Sequence, residues 1–159
     1  MNTIKLNFDS LKKDHWNEQE IANGEFVLEF VQSIMNDHDF DLVMEKYSDG
    51  PYKQHNRSMF DGLGGVVGTL KDFSDRYPDF AYDVKHMLVD GNYVTIHSHA
   101  TLRKGDRGND TKGLNIMDTW KVQDGKLVEH WDAVQPLEGF MRFYSLVNGG
   151  NVRNSNGVF

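Results

Sequence analysis

Residues 113–135 read GLNIMDTWKVQDGKLVEHWDAVQ, and the fold turns on how this stretch is read. Two alternating runs flank Asp124-Gly125, a short-range signal for a β-hairpin. Leu114, Ile116, Asp118, Trp120 and Val122 share one face of the first run. Val128, His130, Asp132 and Val134 share one face of the second. Both faces are apolar at most positions and ionisable in the middle. Burying an unpaired charge is expensive, so carboxylates among core positions point to a purpose. Asp118, His130 and Asp132 are read as the floor of one pocket.

That reading depends on register. A three-residue loop, Gln123-Asp124-Gly125, would form a type I turn with Gly125 left-handed in a bulge. Val122 then faces Lys126, Asp118 faces His130 and Ile116 faces Asp132. A two-residue Asp-Gly turn would set Asp118 opposite Trp131 and disperse the cluster. The bulged loop keeps both apolar sets on a common face and is the expected one.

Upstream of the hairpin the period is also two. Tyr82, Val84, His86 and Leu88 alternate with Asp83, Lys85, Met87 and Val89. After the turn Asp90-Gly91-Asn92, the strand Tyr93–Leu102 sets Val94, Ile96, Ser98, Ala100 and Leu102 against Tyr93, Thr95, His97, His99 and Thr101. Earlier still the spacing is helical. Asn17 can cap a helix carrying Ile21, Val27, Phe30, Val31 and Ile34, with Glu18 and Glu20 near its positive end. A second helix spans Phe40 to Tyr47 and breaks at Asp49-Gly50-Pro51. A third runs from about Leu63 to Arg76 and stops before Tyr77-Pro78. Leu137, Phe140, Met141, Phe143 and Leu146 suggest a short C-terminal helix. Residues 1–16 read as an N-terminal arm and 148–159 as a tail ending in an apolar anchor. Helices followed by consecutive antiparallel strands make an α+β fold. The N-terminal helices should pack on a curved, mainly antiparallel sheet and leave a cavity between the two layers.

The chain has 159 residues, which suits a single domain, 1–159, with a substantial core. A net charge of −7 argues against nucleic acid, whose phosphates need a basic partner. There is no cysteine, so neither a disulfide framework nor a thiol nucleophile is available. With no apolar run of membrane length near the start, a cytoplasmic location is expected and a membrane partner is not.

Asp132 is the leading catalytic candidate. A carboxyl group in an apolar pocket holds its proton more tightly, which makes it a usable base or acid near neutral pH. His130 and Asp118 could tune it or relay a proton. Spacing alone favours a plainer arrangement, with Asp132 at a strand end in solvent and His130 a satisfied half-buried side chain. His55, beside Gln54 and Asn56, is a candidate for the cavity mouth, although a lone histidine is more often a structural donor. Ile116 and Trp120 are candidates for the apolar binding wall. Trp120 could stack on a flat ligand or simply fill the core. His97 and His99 have a spacing that metals use on strands, but they lie opposite the pocket side, so no metal site is expected. An outward Trp131 suggests a homodimer face. The tail should pack on a neighbouring subunit, because its polar residues bury little by themselves.

YKQHN at Tyr52–Asn56, DGKLVEHWDAVQP at Asp124–Pro136, the Asn-Gly-x-Phe ending and the order of elements together resemble a known family. They are similar to the SnoaL-like polyketide cyclases, and more closely to a bacterial branch of predicted SnoaL-like aldol-condensation enzymes. The resemblance implies the cone-shaped, cystatin-like fold shared with nuclear transport factor 2, ketosteroid isomerase and scytalone dehydratase. It implies a cofactor-independent acid/base enzyme of the cyclase, isomerase or dehydratase type, acting on a small carbonyl compound that is cyclic or polyketide-like. The acidic residue of the last strand in that family corresponds to Asp132 here. The histidine of the preceding strand corresponds to Asp118, a departure that changes the charge and donor inventory of the site. The alternative is a non-catalytic, dimeric module that holds a small apolar or aromatic ligand.

Overall fold

The computed structural model describes residues 3–148 and 150–159. A short helix, α1 (Phe8–Leu11), leads into α2 (Glu18–Val31), which continues as a π-helical segment, Gln32–Asp37. Then come α3 (Phe40–Tyr47), the two-residue strand β1 (Lys53–Gln54) and α4 (Gly62–Arg76). Strands β2 (Ala81–Asp90), β3 (Tyr93–Thr101), β4 (Leu114–Gln123) and β5 (Lys126–Pro136) follow, and α5 (Gly139–Asn148) comes after them. The architecture is α+β, with the helices packed on a curved five-stranded sheet. Its order is β1-β5-β4-β3-β2. Among the described residues only the β1–β5 pair is parallel. No helix among the described residues is long and apolar enough to cross a membrane.

The helix signals in the sequence act as chemistry requires. Asn17 and Glu20 form a reciprocal capping box: each side chain accepts the other's backbone N–H, at 3.0 and 2.9 Å. The other Glu20 oxygen accepts the Gly91 N–H at 3.1 Å, tying the start of α2 to the β2–β3 turn. Val27, Phe30, Val31 and Ile34 are buried against the sheet. Within the N-terminal arm, Leu11 and Trp16 join the same core. Where α2 loosens into its π-helical segment, Asn36 turns its amide onto β2. It donates to the Tyr82 carbonyl at 3.1 Å and accepts the Tyr82 N–H at 2.7 Å.

Two bulges decide which residues face inward. In β2, Val84 pairs with Ser98 and His86 with His97, so Lys85 is an extra residue. Alternation then changes phase: Val84, Met87 and Val89 are buried, while His86 and Leu88 face out. The second bulge corrects the expected hairpin. Asp124 and Gly125 both have positive φ, 52° and 71°, the signature of a two-residue turn. Gln123 pairs with Lys126 and Val122 with Leu127, but Lys121 pairs with Glu129. Val128 is therefore the extra residue, and Leu127 takes the core position expected for Val128. The bulge lies inside the strand rather than in the turn. It restores the phase that a two-residue turn would otherwise have lost.

Candidate active site

The bulge at Val128 brings Asp118 directly opposite Asp132 and Trp120 opposite His130. Asp118, His130 and Asp132 therefore lie on one face, although no pair has the expected partner. They differ in depth. Asp118 and His130 are 1% and 4% exposed, whereas Asp132 is half-buried and lines a cavity of about 810 Å³. Of the three, Asp132 alone reaches the cavity surface. Around it the walls are Ile116, Leu114, Val134 and Tyr82 from the sheet, Gly64, Gly65 and Gly68 from α4, and Met59 and Phe60 between.

The protons of the buried pair follow from the hydrogen bonds. The Gln54 side-chain oxygen accepts the Asn56 backbone N–H at 2.8 Å, which fixes the orientation of that amide. The same oxygen lies 3.0 Å from His130 Nδ1, so Nδ1 must carry a proton and donate it. His130 Nε2 lies 3.1 Å from Asp118 Oδ1. One further proton bridges that gap: either a carboxylic acid donates to neutral imidazole, or imidazolium donates to carboxylate. Burial pushes the Asp118 carboxyl above the usual carboxylate range. The His130 hydrogen bond and charge oppose the rise, and the Asp132 charge adds to it. Asp118 Oδ2 is buried with no partner, a costly state for a full negative charge.

Asn56 performs the matching task for Asp132. Its amide oxygen accepts from the Ser58 N–H at 3.0 Å and the Ser58 hydroxyl at 2.6 Å. That turns its nitrogen to the Asp132 carboxylate, 2.9 and 2.7 Å from the two oxygens. Tyr82 also lines the cavity. Burial first, and then the Asp118 and Asp132 charges, hold its proton affinity well above the ordinary tyrosine range, so it stays a hydrogen-bond donor.

Donor atoms of Asp118, His130 and Asp132 lie within 4.8 Å of one another, a spacing that a divalent cation could bridge. The hydrogen bonds just described engage both His130 nitrogens and both Asp132 oxygens, and leave Asp118 Oδ2 without a partner. His97 and His99 are committed elsewhere. The Nε2 of His97 is 2.5 Å from Asn115 Oδ1, and that of His99 is 2.8 Å from the Lys112 carbonyl.

Two binding candidates are corrected. His55 does not reach the cavity. Along β1 and the residue after it, side chains alternate, so Gln54 points in to His130 and His55 points out. His55 stacks on Trp131 with ring centroids 4.8 Å apart, and its Nδ1 lies 3.3 Å from the Gly157 carbonyl. Trp120 is fully buried and absent from the cavity wall; it packs on Phe30 and His130 and donates to the Tyr52 hydroxyl at 3.2 Å. Ile116 does line the cavity. Sequence reasoning missed Gln54, Asn56 and Tyr82. The available signal was the period of two through Gln54 and Asn56, which puts both amides on the face that His55 leaves.

The tail's polar residues lie on their own chain. Asn154 and Asn156 donate to the carbonyls of Asn56, Met59 and Gln54, and Phe159 stays fully exposed.

A model of the SnoaL-like domain family matches residues 27–130, and the chain belongs to that family. No curated relative matches the sequence. Among solved structures, a protein from Jannaschia sp. CCS1, provisionally named a SnoaL-like polyketide cyclase, superposes with a TM-score of 0.62 at 14% identity. The match covers 86% of this chain and 98% of that one. A Bacillus cereus ATCC 10987 protein, provisionally named a polyketide cyclase, gives 0.59 at 17% identity, over 79% and 90%. A SnoaL-like protein of unknown function from Burkholderia thailandensis E264 gives 0.57 at 16% identity, over 75% and 99%. These likenesses show the fold, which is the cone-shaped one expected from the sequence.

Proposed function

We propose that this protein is a cofactor-independent acid/base enzyme of the cyclase, isomerase or dehydratase type, acting on a small carbonyl compound. One observation carries the reading: a carboxylate, Asp132, faces a largely apolar cavity while a buried acid–imidazole pair lies beneath it. Asp132 takes the proton from a carbon next to a carbonyl group. Negative charge moves to the carbonyl oxygen, where the Tyr82 phenol, kept protonated, donates a hydrogen bond. Asn56 holds the base in place, and the Asp118–His130 pair can balance charge as the proton arrives. The carbanion then attacks an internal carbonyl, whose new alkoxide takes the proton from Asp132, or expels a leaving group that takes that proton, and the base is restored. The family and the provisional names of the structural relatives support a cyclic or polyketide-like substrate.

The test needs no prior substrate. In D₂O, a panel of cyclic and aromatic β-dicarbonyl compounds is followed by proton NMR for loss of the activated C–H signal. Wild type should accelerate exchange of at least one compound. Asp132→Asn keeps the shape and removes the base, and should lose about 10²–10⁴ of that rate. Equal rates for the two proteins would overturn the assignment. A compound that binds without exchange in either protein would favour the alternative, a binding module. We further infer a homodimer through the outer sheet face, where Leu88 and Met117 are exposed; a monomeric sedimentation profile would contradict it.

A further inference from the structure

We infer that the C-terminal segment 151–157 completes the active site, with Asn154 and Asn156 acting as positioning residues for Asp132 and His130. It rests on the reading of that site as catalytic, but its geometry stands independently. Gln54 and Asn56 are the bracket that orients the acid/base groups, one through His130 Nδ1 and the other through both Asp132 oxygens. β1 contains only two residues, a short stretch of ladder for so demanding a task. The tail supplies what the ladder lacks. The Asn156 amide nitrogen donates to the Gln54 carbonyl at 2.8 Å and to Asp61 Oδ1 at 2.7 Å. The Asp61 Oδ1 also accepts the Gln54 N–H at 3.0 Å, so both backbone groups of Gln54 are held. The Asn154 amide donates to the carbonyls of Asn56 and Met59, at 2.8 and 2.9 Å, and the Arg153 N–H donates to the Arg57 carbonyl at 2.7 Å.

These bonds have an unusual feature. Those to Gln54 and Asn56 run from the tail's side-chain amides to the bracket's backbone, so their worth depends on the residue type. A tail that merely filled space would accept many substitutions at 154 and 156. The same segment brings Arg153 to the cavity wall, its guanidinium 5.1 Å from the Phe60 ring centre. The family model ends at His130, so this strap lies beyond the matched stretch.

The test uses the full-length chain carrying Asn154→Ala with Asn156→Ala, and Asn156→Ala alone should the double variant lose its near-ultraviolet circular dichroism. Two ligand-free NMR signals are read: the imidazole nitrogens of His130 and the carboxyl carbon of Asp132. In wild type Nδ1 carries a proton held toward Gln54. In the folded variant the His130 nitrogen resonances and the Asp132 carboxyl resonance should shift. Those of His97 and His99, committed to Asn115 and Lys112, should stay in place. Restoring Asn at 156 alone should recover most of the His130 signal, because Asn156 holds Gln54. Unchanged His130 and Asp132 signals in a folded variant would overturn the proposal. Neither readout involves turnover, so its failure is separable from failure of Asp132 as the base.

Discussion

Replacing Gln54 by leucine probes the bracket where it is most exacting. Gln54 is fully buried, and its side-chain oxygen accepts two donors, the Asn56 N–H and His130 Nδ1–H. Leucine keeps nearly the same volume and removes both acceptor contacts. Each orphaned buried donor costs about 1–3 kcal/mol, which gives about 2–6 kcal/mol for two. His130 can recover part of that by releasing its Nδ1 proton to solvent and taking onto Nε2 the proton shared with Asp118, so about 2–4 kcal/mol is expected. Urea unfolding at neutral pH reads the loss as a midpoint lowered by roughly 1–2 M. Imidazole nitrogen NMR reads the second consequence, a changed His130 tautomer. Gln54→Glu, which retains an acceptor, should leave the proton on Nδ1. A loss below about 0.5 kcal/mol, half of a typical net hydrogen bond, together with an unchanged tautomer would refute the reasoning.

The remaining predictions concern burial and packing. Asp118 holds its proton more tightly in the folded than in the unfolded chain. The folded state therefore binds more protons above about pH 4, and its stability falls as pH rises through the folded-state pKa. Asp118→Asn lacks that slope, so its stability relative to wild type should increase between pH 4 and pH 8, by about 1.4 kcal/mol for each tenfold rise in Asp118 proton affinity; parallel curves in urea unfolding would contradict this. A Cβ at Gly65 would lie 2.7–2.9 Å from Phe60 atoms, two of them backbone, whereas one at Gly68 meets nothing within 4 Å. Gly65→Ala should destabilise by about 1–3 kcal/mol and Gly68→Ala should stabilise by up to about 1 kcal/mol, both read as shifts in Tm. Trp120→Ala should cost about 3–5 kcal/mol, as a core residue does; unchanged stability with weakened ligand binding would return Trp120 to the cavity wall.

Much of the fold was legible because local signals and long-range packing agreed. The Asn17 cap, the Phe40–Tyr47 helix and the inward set Val94, Ile96, Ser98 and Ala100 are all present as read. The misses have a common cause. A bulge inverts alternation for every later residue, and Lys85 and Val128 carry no residue-type signal that marks them as bulges. In the hairpin, the expected turn was wrong and the expected face was right, because hydrophobic demand on Leu127, Trp120 and Val122 selects the phase whatever the turn. The site was legible as a cluster but not as a hierarchy. Nothing in EHWD says that His130 is buried while Asp132 meets the cavity. The bracket was harder still, because Gln54 and Asn56 act through contacts more than 70 residues away in sequence. The tail contacts bridge about 100 residues, a separation at which pattern carries no information.

The central physical claim is that a single proton lies between Asp118 and His130, directly beneath a carboxylate held open to the cavity by Asn56. Neutron diffraction of the deuterated protein at neutral pH tests it most directly. One deuteron on His130 Nδ1 facing Gln54, one between Nε2 and Asp118, and the Asn56 amide pointing at Asp132 are expected. A bare Nδ1, or an Asp118–His130 gap with no deuteron in it, would contradict the claim and remove the basis for proton transfer at Asp132.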